Sequence, residues 1–108
     1  MTLKHRVDTI VDLLDAKKAT DIEVFDLADT DYIAKVVILA NSLGGKHTAA
    51  LLNHLKTDLK SLNETFLRTD ESNEWIVADL GDILIHIMTP EYRQRYSLET
   101  FLEEIKGI

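Results

Sequence analysis

The chain contains no cysteine, and this absence excludes several kinds of protein. Without a thiol there is no disulfide scaffold, no cysteine nucleophile and no thiolate metal site. No apolar run reaches the ~18 residues of a membrane-spanning helix, and the N-terminus (Met1–Arg6) lacks the apolar stretch of a signal peptide. We therefore expect a soluble, cytoplasmic protein with no membrane partner.

Chain breakers and basic charge are also scarce. One proline and four glycines in 108 residues leave no room for a flexible linker, so we expect residues 1–108 to form a single domain. The 19 acidic and 12 basic residues give a net charge of −7. Because a nucleic-acid-binding protein usually shows a basic surface, we expect little or no direct contact with nucleic acid. A basic protein is the better electrostatic match for a partner.

Hydrophobic spacing predicts alternating helices and strands. Thr2, Thr89 and Ser97 are each placed to cap a helix start. The predicted elements are a helix over 3–14, strands at 22–27 and 36–40, a helix over 46–62, an edge strand at 65–67, a polar turn at 70–74, strands at 74–79 and 83–88, a helix from Pro90 and a short helix after Ser97. The unbroken apolar run at 36–40 suits a strand buried on both faces. This order predicts an α/β fold, a single mixed sheet of about five strands with helices packed on it.

The two strands from 74 to 88 form a predicted hairpin. If Leu80-Gly81 form its turn, the paired residues are Asp79 with Asp82, Val77 with Leu84, and Trp75 with His86. Side chains alternate along a strand, so these six share one face with Met88. The opposite face is uniformly apolar and is the predicted core face: Ile76, Ala78, Leu80, Ile83, Ile85 and Ile87.

The mixed face of the hairpin has two interpretations. The C-terminal helices could cover it, with Trp75 in the core and His86 hydrogen-bonded inside. Alternatively, it could be an exposed apolar patch with a polar rim, which on a small protein usually indicates a binding partner.

The residue patterns of catalytic and metal sites are weak here. The segment 41–48 lies between a strand and a helix, where phosphates often bind, but it departs from the P-loop pattern and suits a turn that starts a helix. The carboxylate pairs Asp29/Asp31 and Asp79/Asp82 have no evident third ligand, and the four histidines show no metal-ligand spacing. We therefore expect no catalytic residues, no metal and no cofactor, and a protein that is not an enzyme.

Residues 74–99 resemble the C-terminal signature of the ribosomal silencing factor family, also called RsfS or Iojap. The matching features are Trp75, the Asp-x-Gly-Asp at 79–82, an apolar strand with His86, the Glu-x-Arg at 91–93 and the Tyr-x-Leu-Glu at 96–99. The N-terminal helix and the central strand with its long helix are also similar, so the resemblance covers nearly the whole chain. It departs at 35–37, where family members usually carry Asp-Tyr-Phe, and at 44–47, where they often have a Ser-x-Arg-Gln helix start.

This resemblance implies a fold and a function. The fold is a mixed α/β domain related to nucleotidyltransferase folds but without their catalytic carboxylates. Family members bind a large-subunit ribosomal protein, the one numbered fourteen, at the face that meets the small subunit. They thereby block subunit joining and repress translation. Many are described as dimers, so a homodimer is left open.

The resemblance and the hairpin together predict a partner-binding site. Trp75, Leu84 and Met88 would supply an apolar anchor, with Val77 beside them. Asp79, Asp82 and Glu91 would pair with basic residues of the ribosomal protein. His86 and Tyr96 would either contact the partner or fix the local structure. The alternatives are a nucleotidyltransferase-like enzyme or nucleotide-binding protein, and a dimeric adaptor with another basic partner.

Overall fold

The computed structural model of the chain describes residues 2–107. The helices and strands, in chain order, are α1 (Leu3–Ala16), β1 (Thr20–Asp26), β2 (Val36–Asn41), α2 (Gly45–Lys60), β3 (Arg68–Glu71), β4 (Trp75–Asp79), β5 (Ile83–Met88), α3 (Pro90–Tyr96) and α4 (Leu98–Lys106). The predicted order of elements is therefore confirmed. Within residues 2–107, no helix has both the length and the apolar character needed to cross a membrane.

The strands form one five-stranded sheet in the order β1-β2-β5-β4-β3. β2 and β5 run parallel, and every other neighbouring pair is antiparallel, so the sheet is mixed as predicted. All residues of β2 and β5 are buried. These strands lie inside the sheet, which explains why their sequences are nearly continuous apolar runs.

Each face of the sheet carries its own apolar cluster. On one face, the apolar stripes of α1 and α2 pack on the predicted core face of the hairpin, with Ile10, Leu55 and Ile85 fully buried. On the other face, a smaller cluster is covered by residues from α4, including Leu98 and Leu102. β2 and β5 thus have a covered surface on both sides.

The helix starts match the predictions only in part. Thr2 caps α1, since its Oγ1 accepts the His5 N–H at 3.1 Å. Thr89 and Ser97 occupy the predicted cap positions but make no side-chain cap bond. Pro90 suits the start of α3, because the first helical residue has no intrahelical partner for an N–H in any case. Ser97 also ends α3 and is in the left-handed conformation (φ 47°), and its Oγ donates to the Gln94 carbonyl at 3.3 Å instead.

The edge strand lies further along the chain than predicted. β3 spans Arg68–Glu71, so the predicted strand at 65–67 and the first half of the predicted turn at 70–74 were wrong. β3 pairs antiparallel with β4 through its backbone. An edge strand can form from charged residues because pairing needs no side chain, and charge discourages pairing with further strands.

The hairpin register also differs from the prediction. Leu80 N–H donates to the Ile83 carbonyl at 2.9 Å, so Gly81-Asp82 form the turn rather than Leu80-Gly81. The observed pairs are Asp79 with Leu84, Val77 with His86, and Trp75 with Met88. Gly81 has a φ of +95°, as a type II′ turn requires of its first residue. Because the shift is two residues, each side chain keeps its predicted face.

Candidate partner-binding site

The mixed face of the hairpin is covered over β5 and half-open over β4. Trp75, Val77 and Asp79 on β4 are half-buried, whereas Leu84, His86 and Met88 on β5 are buried. The interpretation as a covered face therefore holds for β5, and the interpretation as an exposed patch holds in part for β4. Residues of α3 and α4, including Tyr92 and Leu102, pack with the β5 side chains, whereas Trp75 and Val77 of β4 lie at the margin of this cluster.

The edge strand β3 extends the half-open surface. In the register, Arg68 pairs with Asp79 and Asp70 pairs with Val77, which places both β3 side chains on the same face. Arg68 and Asp70 are exposed and form an ion pair of 3.1 Å. We call this surface the β4 strip: Arg68, Asp70, Trp75, Val77 and Asp79.

An aromatic cluster lies at the α3 end of the β4 strip, and we define it as Trp75, Tyr92 and Tyr96. The Trp75 and Tyr96 ring centroids are 5.3 Å apart, and those of Tyr92 and Tyr96 are 5.6 Å apart. The Arg95 guanidinium lies 5.8 Å from the Tyr96 ring centroid. Tyr96 is 49% exposed, so the cluster presents aromatic surface to solvent.

His86 supports this cluster from beneath. Its Nδ1 accepts the indole Nε1–H of Trp75 at 3.0 Å, and the His86 side chain is buried. Burial lowers the pKa of His86 to about 4. The imidazole is therefore neutral near pH 7, with its proton on Nε2 and Nδ1 free to accept. Of the two roles considered for His86, fixing the local structure fits this position.

The predicted apolar anchor is present only at Trp75. Met88 is 0% exposed and Leu84 is 8% exposed, so the expectation that they form part of an exposed patch was wrong. Both belong to the cluster under α4 together with Leu102. The sequence could not show this, because strand alternation fixes a side chain's face but not which helix covers it.

The predicted carboxylates differ in their surroundings. Glu91 is exposed in the first turn of α3. Asp79 is half-buried, and its Oδ1 accepts the Gly81 N–H at 2.8 Å, so it also shapes the turn. Asp82, expected to pair with a partner, is instead held by Arg6 of α1, with contacts of 2.6 and 3.0 Å.

Arg6 forms an ion network that sequence reasoning missed. Its guanidinium also contacts both carboxylate oxygens of Glu64, at 2.7 and 2.9 Å. Hydrogen bonds to Glu64 and Asp82 raise the pKa of Arg6, and the Arg6 hydrogen bond lowers the pKa of Asp82. The partners lie 58 and 76 positions from Arg6 in the chain, so no local pattern could have indicated them.

Arg93 forms a second network. It is 5% exposed, and its NH1 donates to the Asp21 carbonyl and to Asn41 Oδ1, the latter at 3.0 Å. NH2 donates to Glu23 at 2.6 Å, and Nε lies 3.3 Å from Glu99. The Glu-x-Arg feature at 91–93 marked this arginine, but nothing in the sequence identified its partners.

The segment considered for phosphate binding has a structural role. In the loop before α2, His47 Nδ1 accepts the Leu43 N–H at 2.8 Å, while its Nε2 lies 2.8 Å from the Lys17 carbonyl. This joins the loop to the end of α1, as a turn that starts a helix would. Across residues 2–107, no three histidine, aspartate or glutamate side chains are placed to hold a metal ion.

Comparisons with known proteins identify a family and relatives for this chain. The model of a family described as "Ribosomal silencing factor during starvation" matches residues 1–108. Ribosomal silencing factor RsfS of Haemophilus influenzae is 33% identical over 95 residues, which cover 86% of this chain and 93% of that protein. A mouse protein named "Mitochondrial assembly of ribosomal large subunit protein 1" is 26% identical over 101 residues, covering 89% of this chain and 44% of that protein.

A solved structure shows the same architecture. The crystal structure of a Chromobacterium violaceum protein superposes with a TM-score of 0.89 at 25% identity, covering 95% of this chain and 88% of that chain. The match to the family model over the whole chain and the Haemophilus relative lead to one conclusion: this chain belongs to the ribosomal silencing factor (RsfS) family, whose role is ribosome silencing.

Proposed function

We propose that this chain, acting as a single domain over residues 1–108, binds the large ribosomal subunit in the cytoplasm and sterically blocks joining of the small subunit. The partner we propose is the basic large-subunit protein numbered fourteen. Blocking requires only a bound domain at the subunit interface, so the proposed mechanism needs no catalysis, cofactor or direct nucleic-acid contact. A homodimer would be compatible with this mechanism.

The observation that carries the proposal is the exposed aromatic cluster at the end of the half-open β4 strip. Tyrosine and tryptophan dominate the binding energy of protein interfaces, where their large rings are desolvated at little entropic cost. Here the indole N–H of Trp75 is hydrogen-bonded to His86, which orders the ring before a partner binds. A pre-ordered anchor loses less conformational entropy on binding.

Charge supports a basic partner. The net charge of the chain is −7, and the carboxylates of Asp70, Asp79 and Glu91 lie on or beside the β4 strip and α3. Such a rim would steer a basic ribosomal protein toward the aromatic cluster. The name of the mouse relative, which refers to assembly of the ribosomal large subunit, supports that subunit as the partner.

The test compares two aromatic residues of equal exposure. Tyr96 is 49% exposed inside the cluster, and Phe101 is 48% exposed on α4 outside it. We expect Tyr96→Ala to weaken binding to purified large subunits by about thirtyfold, which corresponds to roughly 2 kcal/mol for an interface hot spot. Phe101→Ala removes a similar exposed ring and should leave the affinity unchanged. Trp75→Ala should act in the same direction as Tyr96→Ala.

Binding is measured by co-sedimentation with large subunits, and blocking by the formation of joined ribosomes in a sucrose gradient. Circular dichroism of each variant verifies that it is folded. If folded Tyr96→Ala and Trp75→Ala proteins bind and block as well as the wild type, the site is wrong. Saturable, tight binding of Mg-ATP in calorimetry would instead favour the nucleotide-binding alternative.

A further inference from the structure

We propose that Arg93 is a positioning residue for the partner surface: it fixes α3 so that Tyr96 stays packed between Trp75 and Tyr92. This inference rests on the proposed function, because it concerns the same aromatic cluster. It assigns a role in recognition to a buried side chain that no partner could touch, since Arg93 is 5% exposed.

Arg93 and the two tyrosines lie on different sides of α3. Tyr92 and Tyr96 are four positions apart and so lie on the same side of the helix, where both belong to the aromatic cluster. Arg93 follows Tyr92 and points about 100° further around the axis. Its partners are on β1, at the end of β2 and on α4, rather than on β4. One short helix is therefore held by an arginine on one side and presents two tyrosines on another.

The two sides of α3 contact strands that lie far apart in the sheet. β1 and β4 are separated by β2 and β5, so the two sides of α3 act on strands about 14 Å apart at the usual strand spacing. α3 is only seven residues long, and a helix of this length has little stability of its own. Its position must therefore come from tertiary contacts, and Arg93 supplies the most directional of them.

Arg93 also holds the corner between α3 and α4. The corner residue Ser97 is in the left-handed conformation (φ 47°), which non-glycine residues adopt reluctantly. The ion pair between Arg93 and Glu99 spans this corner at 3.3 Å, with Glu99 in the first turn of α4. Tyr96 immediately precedes the corner, so its ring moves if the corner relaxes.

The guanidinium group is needed because its donors point in fixed directions. NH1 and NH2 meet β1 and the end of β2, while Nε meets α4. Asn41 extends the network by donating its own amide to Asp21 Oδ2 at 3.2 Å. Lysine keeps the charge but cannot reach these acceptors at once. We therefore expect Arg93→Lys to resemble Arg93→Gln and not to restore the wild-type behaviour.

The experiment measures affinity for purified large subunits and the near-ultraviolet circular dichroism of the aromatic cluster. We expect Arg93→Gln to weaken binding about tenfold and to diminish the signal of the coupled Trp75 and Tyr96 rings. Arg6→Gln is the matched control, because it removes an arginine of α1 whose network joins the turn end of the hairpin, away from the aromatic cluster. It should lower the melting temperature while leaving both readouts at their wild-type values.

A double-substitution cycle separates positioning from general damage. If Arg93 acts through the tyrosines, Arg93→Gln adds little further loss of affinity in a Tyr96→Ala background. Fully additive losses would overturn the inference, as would wild-type affinity and spectra in Arg93→Gln. Should Arg93→Gln fail to fold, Glu99→Gln removes one contact of the network and is expected to give the same spectral change in weaker form; an unchanged spectrum would overturn the inference. If Tyr96→Ala itself binds normally, the proposed function fails instead, and the two failures are distinguishable.

Discussion

The buried imidazole of His86 predicts that the folded protein loses stability in mild acid. Burial lowers the pKa of His86 to about 4 from an ordinary value of 6.5. The unfolded chain therefore binds a proton at this side chain at a higher pH than the folded chain does. Stability from keeping His86 neutral is complete above pH 6.5 and is lost as the pH falls from about 6.5 toward 4.

The size of this loss follows from the two pKa values. At pH 5 the unfolded state is almost fully protonated at His86, while the folded state is about nine-tenths neutral. The corresponding loss in the free energy of unfolding between pH 7 and pH 5 is about 2 kcal/mol. For a domain of this size, that is a decrease of roughly 10 °C in melting temperature.

The assay is urea unfolding of the wild type and of His86→Gln at pH 7 and pH 5, followed by the fluorescence of Trp75, the single tryptophan. Glutamine does not titrate, so the variant should lose about 2 kcal/mol less than the wild type over this range. His54→Gln makes the same exchange at an exposed position of α2 and should behave like the wild type. If wild type and His86→Gln lose the same free energy within about 0.5 kcal/mol, burial does not control His86 and the reasoning is refuted.

Two further predictions concern stability. Arg6→Gln leaves the Glu64 carboxylate, 10% exposed, without its cation, so the free energy of unfolding in urea should fall by about 3 kcal/mol at pH 7. Lys4→Ala removes only an exposed ion pair and should lower the free energy of unfolding by less than about 0.5 kcal/mol. If Lys4→Ala and Arg6→Gln lowered it equally, burial would not explain the effect of Arg6. Gly81→Ala places a side chain at a φ of +95° and should cost about 1–2 kcal/mol, whereas an unchanged melting temperature would argue against the observed turn.

The hairpin shows how much the sequence could predict about the site. Alternation of residues separated the core face from the mixed face, and this held although the turn was placed one residue too early. The error came from Leu80, which was assigned to the loop but is only 8% exposed and pairs with Ile83. A turn is set by backbone conformation, and Gly81 can supply it from either position of a two-residue loop.

The exposure of the site residues could not be predicted in the same way. Trp75 and Met88 share a face and face each other across the hairpin, yet Trp75 is half-buried and Met88 is 0% exposed. The difference arises because Met88 lies inside the cluster that Leu102 of α4 helps to bury, whereas Trp75 packs at the margin of that cluster. Which strand a helix covers depends on how α3 and α4 turn at Ser97, a choice that strand periodicity does not encode.

The sequence by itself determined the elements, the mixed sheet, the two faces of the hairpin and the family, because periodicity, turn residues and the 74–99 signature are local properties of the chain. Only the tertiary structure decided which residues of the mixed face stay accessible, and that Asp82 and Arg93 form internal ion networks. Arg6 meets Asp82 across 76 positions of the chain, and Arg93 meets Glu23 across 70. Contacts of that range exist only after the sheet has formed, since they depend on strand order and on how the helices pack.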